Sequence, residues 1–126
     1  MGDSMNNVYE QPAYDGPQAL VEAIEANDPN VLGPMIIAAA LYEDDFDVVY
    51  DACLKLSSHP DEVVRGNAIL GFGHLARLFG RLRDEAPSIV KRGLVDDSNY
   101  VRGQAYAAAG DLQHFLGIEL RAPPSE

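Results

Sequence analysis

Five carboxylates crowd into nine residues: Glu43, Asp44, Asp45, Asp47 and Asp51. On a helix that starts near residue 45, Asp44, Asp47 and Asp51 fall at i, i+3 and i+7 and share one face, opposite Phe46, Val49 and Cys53. Such a face could dock a basic ligand. Tyr42 and Tyr50 flank it, and an aromatic body with a polar tip is a common interface anchor. A second reading needs no ligand: acidic side chains favour a helix N-terminus, a charged stripe is often the solvated side, and either tyrosine could be half-buried core. A calcium loop opening at Asp45 fails, because its fifth position is Val49, its sixth is Tyr50 where Gly is needed, and its twelfth is Leu56 where Glu is needed.

Other reactive side chains form no pattern. Cys53 sits on the apolar stripe of its own segment, which implies an inert core thiol. Ser57 and Ser58 precede His59, but adjacency in sequence does not build a catalytic triad. His59 lies in a turn before Pro60, His74 in mid-helix and His114 near a helix end, places where a polar surface or packing role is usual. Arg77, Arg81 and Arg83 form a small basic patch, read as a solvated helix end. No catalytic, cofactor or metal set is assigned, and the chain is not expected to be an enzyme.

The carboxylate run belongs to a wider asymmetry. Residues 1–62 hold 13 acidic side chains against Lys55 alone, a net −12, while residues 63–126 hold 7 acidic and 8 basic ones, a net +1. A field of that sign repels nucleic-acid phosphates and speeds association with cationic partners. The 126 residues suit one domain, and 47% hydrophobic content without Trp predicts an aliphatic core. The longest apolar run, residues 35–41, is too short to span a bilayer and predicts a buried helix. Neither a secretory signal nor a myristoylation motif is read at the N-terminus, where Asn6 stands in place of Ser or Thr. With a single cysteine no internal disulfide can form, so a reducing cytoplasm is expected.

Helix punctuation predicts six helices. Asp15-Gly16-Pro17 opens one over about 17–26, with Leu20, Val21 and Ile24 on one side; Asp28-Pro29 opens the next, to about Tyr42, with a kink or late start at Pro34. A third is expected over about 45–57. The fourth runs over about 61–79 with Val64, Ala68, Leu75 and Leu78 buried, and Gly80 as its stop. The fifth covers about 84–95, with Pro87 in its first turn, and the sixth about 98–116, ending at Gly117. Residues 1–14 lack periodicity and are expected to be mobile; 15–120 form one domain and 121–126 a tail.

Two of these helices repeat one another. Val64-Arg65-Gly66-Asn67-Ala68 returns as Val101-Arg102-Gly103-Gln104-Ala105, and Gly73 and Leu75 return as Gly110 and Leu112, all at an offset of 37. A weaker copy, Val31-Leu32-Gly33, precedes them by 33 and has Leu32 in place of the Arg. Repeats of this length are helix-turn-helix units that bury one face on their neighbours. Arg65 and Arg102 are expected to pair with turn carboxylates, Asp61, Asp96 or Asp97. Gly66, Gly71, Gly73, Gly103 and Gly110 each weaken a helix, by about 1 kcal/mol against Ala, so close helix contact is expected to compensate.

The run Asp, Val-Arg, Ala and Gly-x-Leu over residues 61–82 and 98–119 resembles a HEAT repeat. The segment 28–117 is similar to small bacterial HEAT-like proteins, some of which are immunity proteins of polymorphic or contact-dependent toxin systems. The resemblance implies an all-α solenoid of about three helix pairs whose first unit is a degenerate cap. It also raises two enzymatic relatives. HEAT-like iron hydroxylases use His-Glu pairs, absent here, and HEAT-like DNA glycosylases need a basic groove and aromatic stacking residues, whereas this chain is acidic and has no Trp.

A protein-binding module is therefore expected: an immunity protein that occludes a basic toxin, such as a nuclease, through Tyr42, Glu43, Asp44, Asp45, Asp47, Tyr50 and Asp51. The alternatives are an adaptor or regulatory subunit that binds a resident cellular protein, and an enzyme of unknown chemistry. No cofactor, direct nucleic-acid contact or membrane contact is expected.

Overall fold

Asp28, Asp45, Asp61 and Ser98 each turn a side-chain oxygen onto backbone N–H groups of the following turn, and each begins a helix. A computed structural model describes residues 14–120. Within them six helices and no strand occur: α1 (Pro17–Ala26), α2 (Pro29–Tyr42), α3 (Phe46–Leu56), α4 (Glu62–Phe79), α5 (Ala86–Gly93) and α6 (Asn99–Leu116). Segment 1–14, expected to be mobile, and the tail 121–126 lie outside the described residues, except for Tyr14. Among the described residues no helix is long and apolar enough to cross a membrane.

The stops are equally local. Asn27, Gly80 and Gly117 adopt left-handed φ of 55°, 71° and 69°, which closes α1, α4 and α6. Pro17 and Pro29 occupy first turns, where a missing N–H costs nothing. Two expectations need correction. α2 starts at Pro29 and runs on through Pro34, so Pro34 causes no late start. α5 is shorter than 84–95 at both ends, where residues 84–85 and 94–95 form turns, and the Glu85 carboxylate accepts the Tyr50 hydroxyl at 2.9 Å and makes no capping bond to its own helix.

The helices pair in sequence, α1 on α2, α3 on α4 and α5 on α6, while the long second members also stack α2 on α4 and α4 on α6. This arrangement is compatible with a helical-hairpin solenoid. One hydrophobic cluster runs through it, from Leu20 in α1 past Ile36, Val49, Phe72 and Val90 to Leu112 in α6. Leu78, expected inside, is 47% exposed, as is its repeat counterpart Phe115 at 42%. In α4 the buried stripe passes from Leu75 to Phe79, whose ring packs edge-on against Phe46 at 5.5 Å, which leaves Leu78 outside. Val21, at 45% exposure, also lies on the rim of its stripe.

Glycine sets how closely α4 can be approached. A Cβ at Gly73 would lie 2.7 Å from Asp111 Oδ2 and 3.0 Å from the Ala108 backbone of α6; one at Gly66 would lie 3.0 Å from the Tyr100 ring; one at Gly71 would strike Cys53 Sγ at 2.5 Å. Gly103 and Gly110, the repeat counterparts of Gly66 and Gly73, have nothing within 4 Å. The expectation of close contact therefore fails at those two positions, because no described helix packs on that side of α6. Asn67 joins the three long helices. It is 6% exposed, donates to Gly33 O at 3.0 Å and accepts from Tyr100 Oη at 2.6 Å and Gln104 Nε2 at 2.8 Å. The Leu32 that replaces the repeat arginine is fully buried, whereas Val31, aligned with buried Val64, is 45% exposed. Burial in α2 has thus shifted by one residue.

Arg65 spans consecutive pairs. Its guanidinium grips Asp96 with two bonds, 2.9 and 2.8 Å, and also donates to His59 O and Pro60 O. Arg102 does not pair with a carboxylate; it donates to Asp96 O at 2.6 Å and to the Asn99 side chain. The ladder therefore has one ionic rung.

Two outcomes follow. Gly73→Leu is expected to lower stability by about 1–3 kcal/mol through overpacking against α6, whereas Gly110→Ala gains about 0.5–1 kcal/mol from helix propensity. Thermal midpoints of the two variants check the contrast, and equal shifts would refute the packing account. Arg65, with a lesser contribution from the Ser98 N–H, holds the Asp96 carboxyl below its usual value near 3.8. A depressed carboxylate stabilises fully above its unfolded value, and that stabilisation fades as pH falls through the folded one. Asp96→Asn should therefore lower the melting temperature at pH ~7, with a gap that narrows towards pH ~3. A gap independent of pH would count against this ion pair.

Candidate functional site

Helix α3 does carry its acidic residues outward and its apolar ones inward, because Phe46, Val49 and Cys53 are buried while Asp47 and Asp51 are exposed. The carboxylates nevertheless have separate occupations. Glu43, half-buried between α2 and α3, accepts the Tyr14 hydroxyl at 2.5 Å and the Asp45 N–H at 2.9 Å. Those bonds, the tyrosine's first, hold its carboxyl below the ordinary range, and burial together with Glu43 pushes the Tyr14 hydroxyl up. Asp45 is the α3 cap, and takes the N–H groups of Asp47 and Val48 at 3.0 and 3.4 Å. Asp44 is exposed, and Tyr42 is 49% exposed.

Asp47 and Asp51 are bridged by one cation. Arg83, from the loop between α4 and α5, reaches Asp47 at 2.8 Å and Asp51 at 2.9 Å with different guanidinium nitrogens. Its guanidinium carbon stands 4.4 Å from the centre of the Tyr50 ring, and that of Arg81 stands 3.9 Å from the centre of the Phe46 ring. The sequence reading of Arg77, Arg81 and Arg83 as one solvated patch is thereby corrected. Arg81 and Arg83 leave it to lie over α3, while Arg77 meets His74 at 3.1 Å. The signal for this lies in no local motif, since Arg83 is 36 and 32 residues from its two carboxylates. The alternation Arg81-Leu82-Arg83 is the one hint: with Leu82 partly buried against the core, both arginines are free to turn the other way.

Tyr50 is a second correction. It is fully buried, so it cannot be a partner's anchor. Its ring packs against Phe46 and Phe72 with centroids 5.5 and 5.2 Å away, and its hydroxyl donates to Glu85. Burial first, and then Glu85, raise its hydroxyl well above the usual tyrosine range. The buried side of α3 is thus wider than the expected stripe through Phe46, Val49 and Cys53, which continues to Leu56, and takes in Tyr50 and Ala52 as well.

The remaining candidates are structural. Cys53 is fully buried and its thiol is pushed up to about 12, consistent with an inert core residue. Ser57 is buried, with its hydroxyl donating to Leu54 O at 3.0 Å. His59 accepts the Asp61 N–H at Nδ1, which leaves Nε2 to donate to Asn27 Oδ1 at 2.7 Å. Burial, with Arg77 adding to it, lowers the basicity of His74, and His114 packs edge-on against Phe115.

Two surfaces remain open to a partner. One lies on the side of α1 and α3, where Asp15, Glu22, Glu25, Asp28 and Asp44 are exposed and an apolar groove of about 350 Å³ separates the two helices. The other follows the second helices, where Val63 and Tyr100 are 42% and 41% exposed near the starts of α4 and α6, and Leu78 and Phe115 near their ends. Comparison with protein-family models, with curated proteins and with solved structures gave no match to this chain.

Proposed function

We propose that this chain is a protein-binding module whose acidic N-terminal half receives a basic protein. The carrying observation is where the charge is left in excess: with Arg83 committed to Asp47 and Asp51, the exposed carboxylates Asp15, Glu22, Glu25, Asp28 and Asp44 lie in a half of the chain whose single basic residue is Lys55, whereas Asp84, Glu85 and Asp97, also exposed, lie in a half where eight basic residues offset seven acidic ones. Long-range attraction to a cationic surface needs no preformed pocket, only such an excess. The resemblance to HEAT-like immunity proteins supplies the specific form of the proposal, in which the chain occludes a cationic toxin such as a nuclease in the cytoplasm. An adaptor or regulatory subunit is the second reading, favoured by the exposed Val63, Tyr100, Leu78 and Phe115 along the second helices.

The test is calorimetric binding to the basic protein encoded by the neighbouring gene, at about 50 and 300 mM salt. The joint substitution Glu22→Lys, Glu25→Lys, Asp44→Lys is expected to weaken binding about tenfold or more, and added salt to weaken it further. Asp47→Asn with Asp51→Asn should weaken binding less than the triple reversal does, since Arg83 already engages both carboxylates and offsets one of their two charges. Binding indifferent to salt and to the triple reversal would reject the acidic-surface mechanism. If Leu78→Asp with Phe115→Asp alone abolishes binding, the adaptor surface is favoured.

A further inference from the structure

Packing between the first helices is sparse compared with that between the second ones, and the space left between α1 and α3 is a groove of about 350 Å³. Its walls are Leu20, Val21 and Ile24 from α1 and Val48 and Ala52 from α3. Val21 is 45% exposed, so a bulky aliphatic side chain stands open to solvent at the rim. A cavity of about 150 Å³ takes a benzene-sized group, so this groove has room for two aliphatic side chains of one ligand. Such room suits residues one turn apart on an amphipathic helix laid along the groove.

The rim selects the charge of that helix. Glu25 and Asp51 border the apolar walls, and Glu22, three residues before Glu25 on α1, is exposed one step outside them. Lys55 is the one cation among the lining residues, and it shares its end of the groove with Glu25. The half of the chain around the groove is strongly anionic, which disfavours an anionic lipid surface and an acidic peptide alike.

We infer that the α1–α3 groove is the docking site for a basic amphipathic helix of a partner protein, which inserts two aliphatic side chains between Val21 and Val48 and sets its Lys or Arg residues against Glu22, Glu25 and Asp51. This rests on the protein-binding reading and replaces the α3 stripe with the α1 side of the molecule as the point of contact. Asp51 keeps its bond to Arg83 and adds only what charge Arg83 leaves. Glu25 at the rim and the excess negative charge of the surrounding half, Glu22 included, provide the attraction, and the groove provides the selectivity for apolar side chains.

Three fluorescent peptides of about 16 residues test it on the full chain by anisotropy: a helical Leu/Lys pattern, the same pattern with Ser in place of Leu, and a Leu/Glu pattern. The Leu/Lys peptide is expected to bind about tenfold or more tighter than the Ser/Lys peptide, with amide shifts in α1 and α3 around Ile24, Val48 and Ala52. Val21→Lys should erase the difference between the two basic peptides. Because Val21 is half-exposed, a melting curve showing the variant folded is expected, and Val21→Ser, which places no charge on the rim, should give a smaller loss. Equal affinity of the two basic peptides, unchanged affinity in Val21→Lys, or shifts confined to the second helices would overturn the groove as the site. In those cases, loss of basic-peptide binding in Glu22→Lys with Glu25→Lys would still support the acidic-surface reading. If neither basic peptide binds tighter than the Leu/Glu peptide, both fall. A Leu/Glu peptide that binds best would mean an apolar groove without charge selection, and overturns the inference as well.

Discussion

Helix α4 is approached most closely at the positions where it has no side chain. Gly71 admits the Cys53 sulfur from α3, Gly66 admits the Tyr100 ring, and Gly73 admits the backbone of α6 near Ala108. The backbones come close enough for Asn67 to bond to α2 and α6 together, which fixes the rotation of three long helices by directional contacts rather than by apolar area alone. Everything at the surface depends on that arrangement. The loop carrying Arg81 and Arg83 lies over α3 because α4 ends at Gly80 beside Phe46, and Arg65 meets Asp96 because α4 and α6 run at a fixed spacing.

Most of the architecture was legible because its signals are local. Caps at Asp28, Asp45, Asp61 and Ser98 and left-handed stops at Gly80 and Gly117 act within one turn of the chain, so each helix end could be read within a residue or two. The repeat announced a turn carboxylate for Arg65, with Asp96 among the candidates, and a close neighbour at Gly66. The same motif failed at Gly103 and Gly110, since a glycine records tolerance of a close neighbour and not the presence of one.

The site was harder to read for a corresponding reason. Five clustered carboxylates look like one surface in sequence, yet four are taken up, Glu43 by Tyr14, Asp45 by the α3 backbone, and Asp47 and Asp51 together by Arg83. Those partners come from 29 residues before Glu43, from the next turn of chain, and from 36 residues after Asp47. Tyr50 was misread because its neighbours Asp47 and Asp51 are exposed, while its own position is sealed by Phe46 and Phe72. Two arginines from the basic half thus cross to the acidic half, and the free negative charge shifts from α3 towards α1.

Cys53 is the only cysteine of the chain, and it is sealed against Gly71 at the centre of the α3–α4 contact. A thiol so placed meets solvent only when these two helices separate, and its raised pKa keeps it protonated until they do. The rate at which a thiol reagent modifies the folded protein therefore measures how often α3 lifts from α4. The molecule carries, without any added label, a reporter of its own local opening.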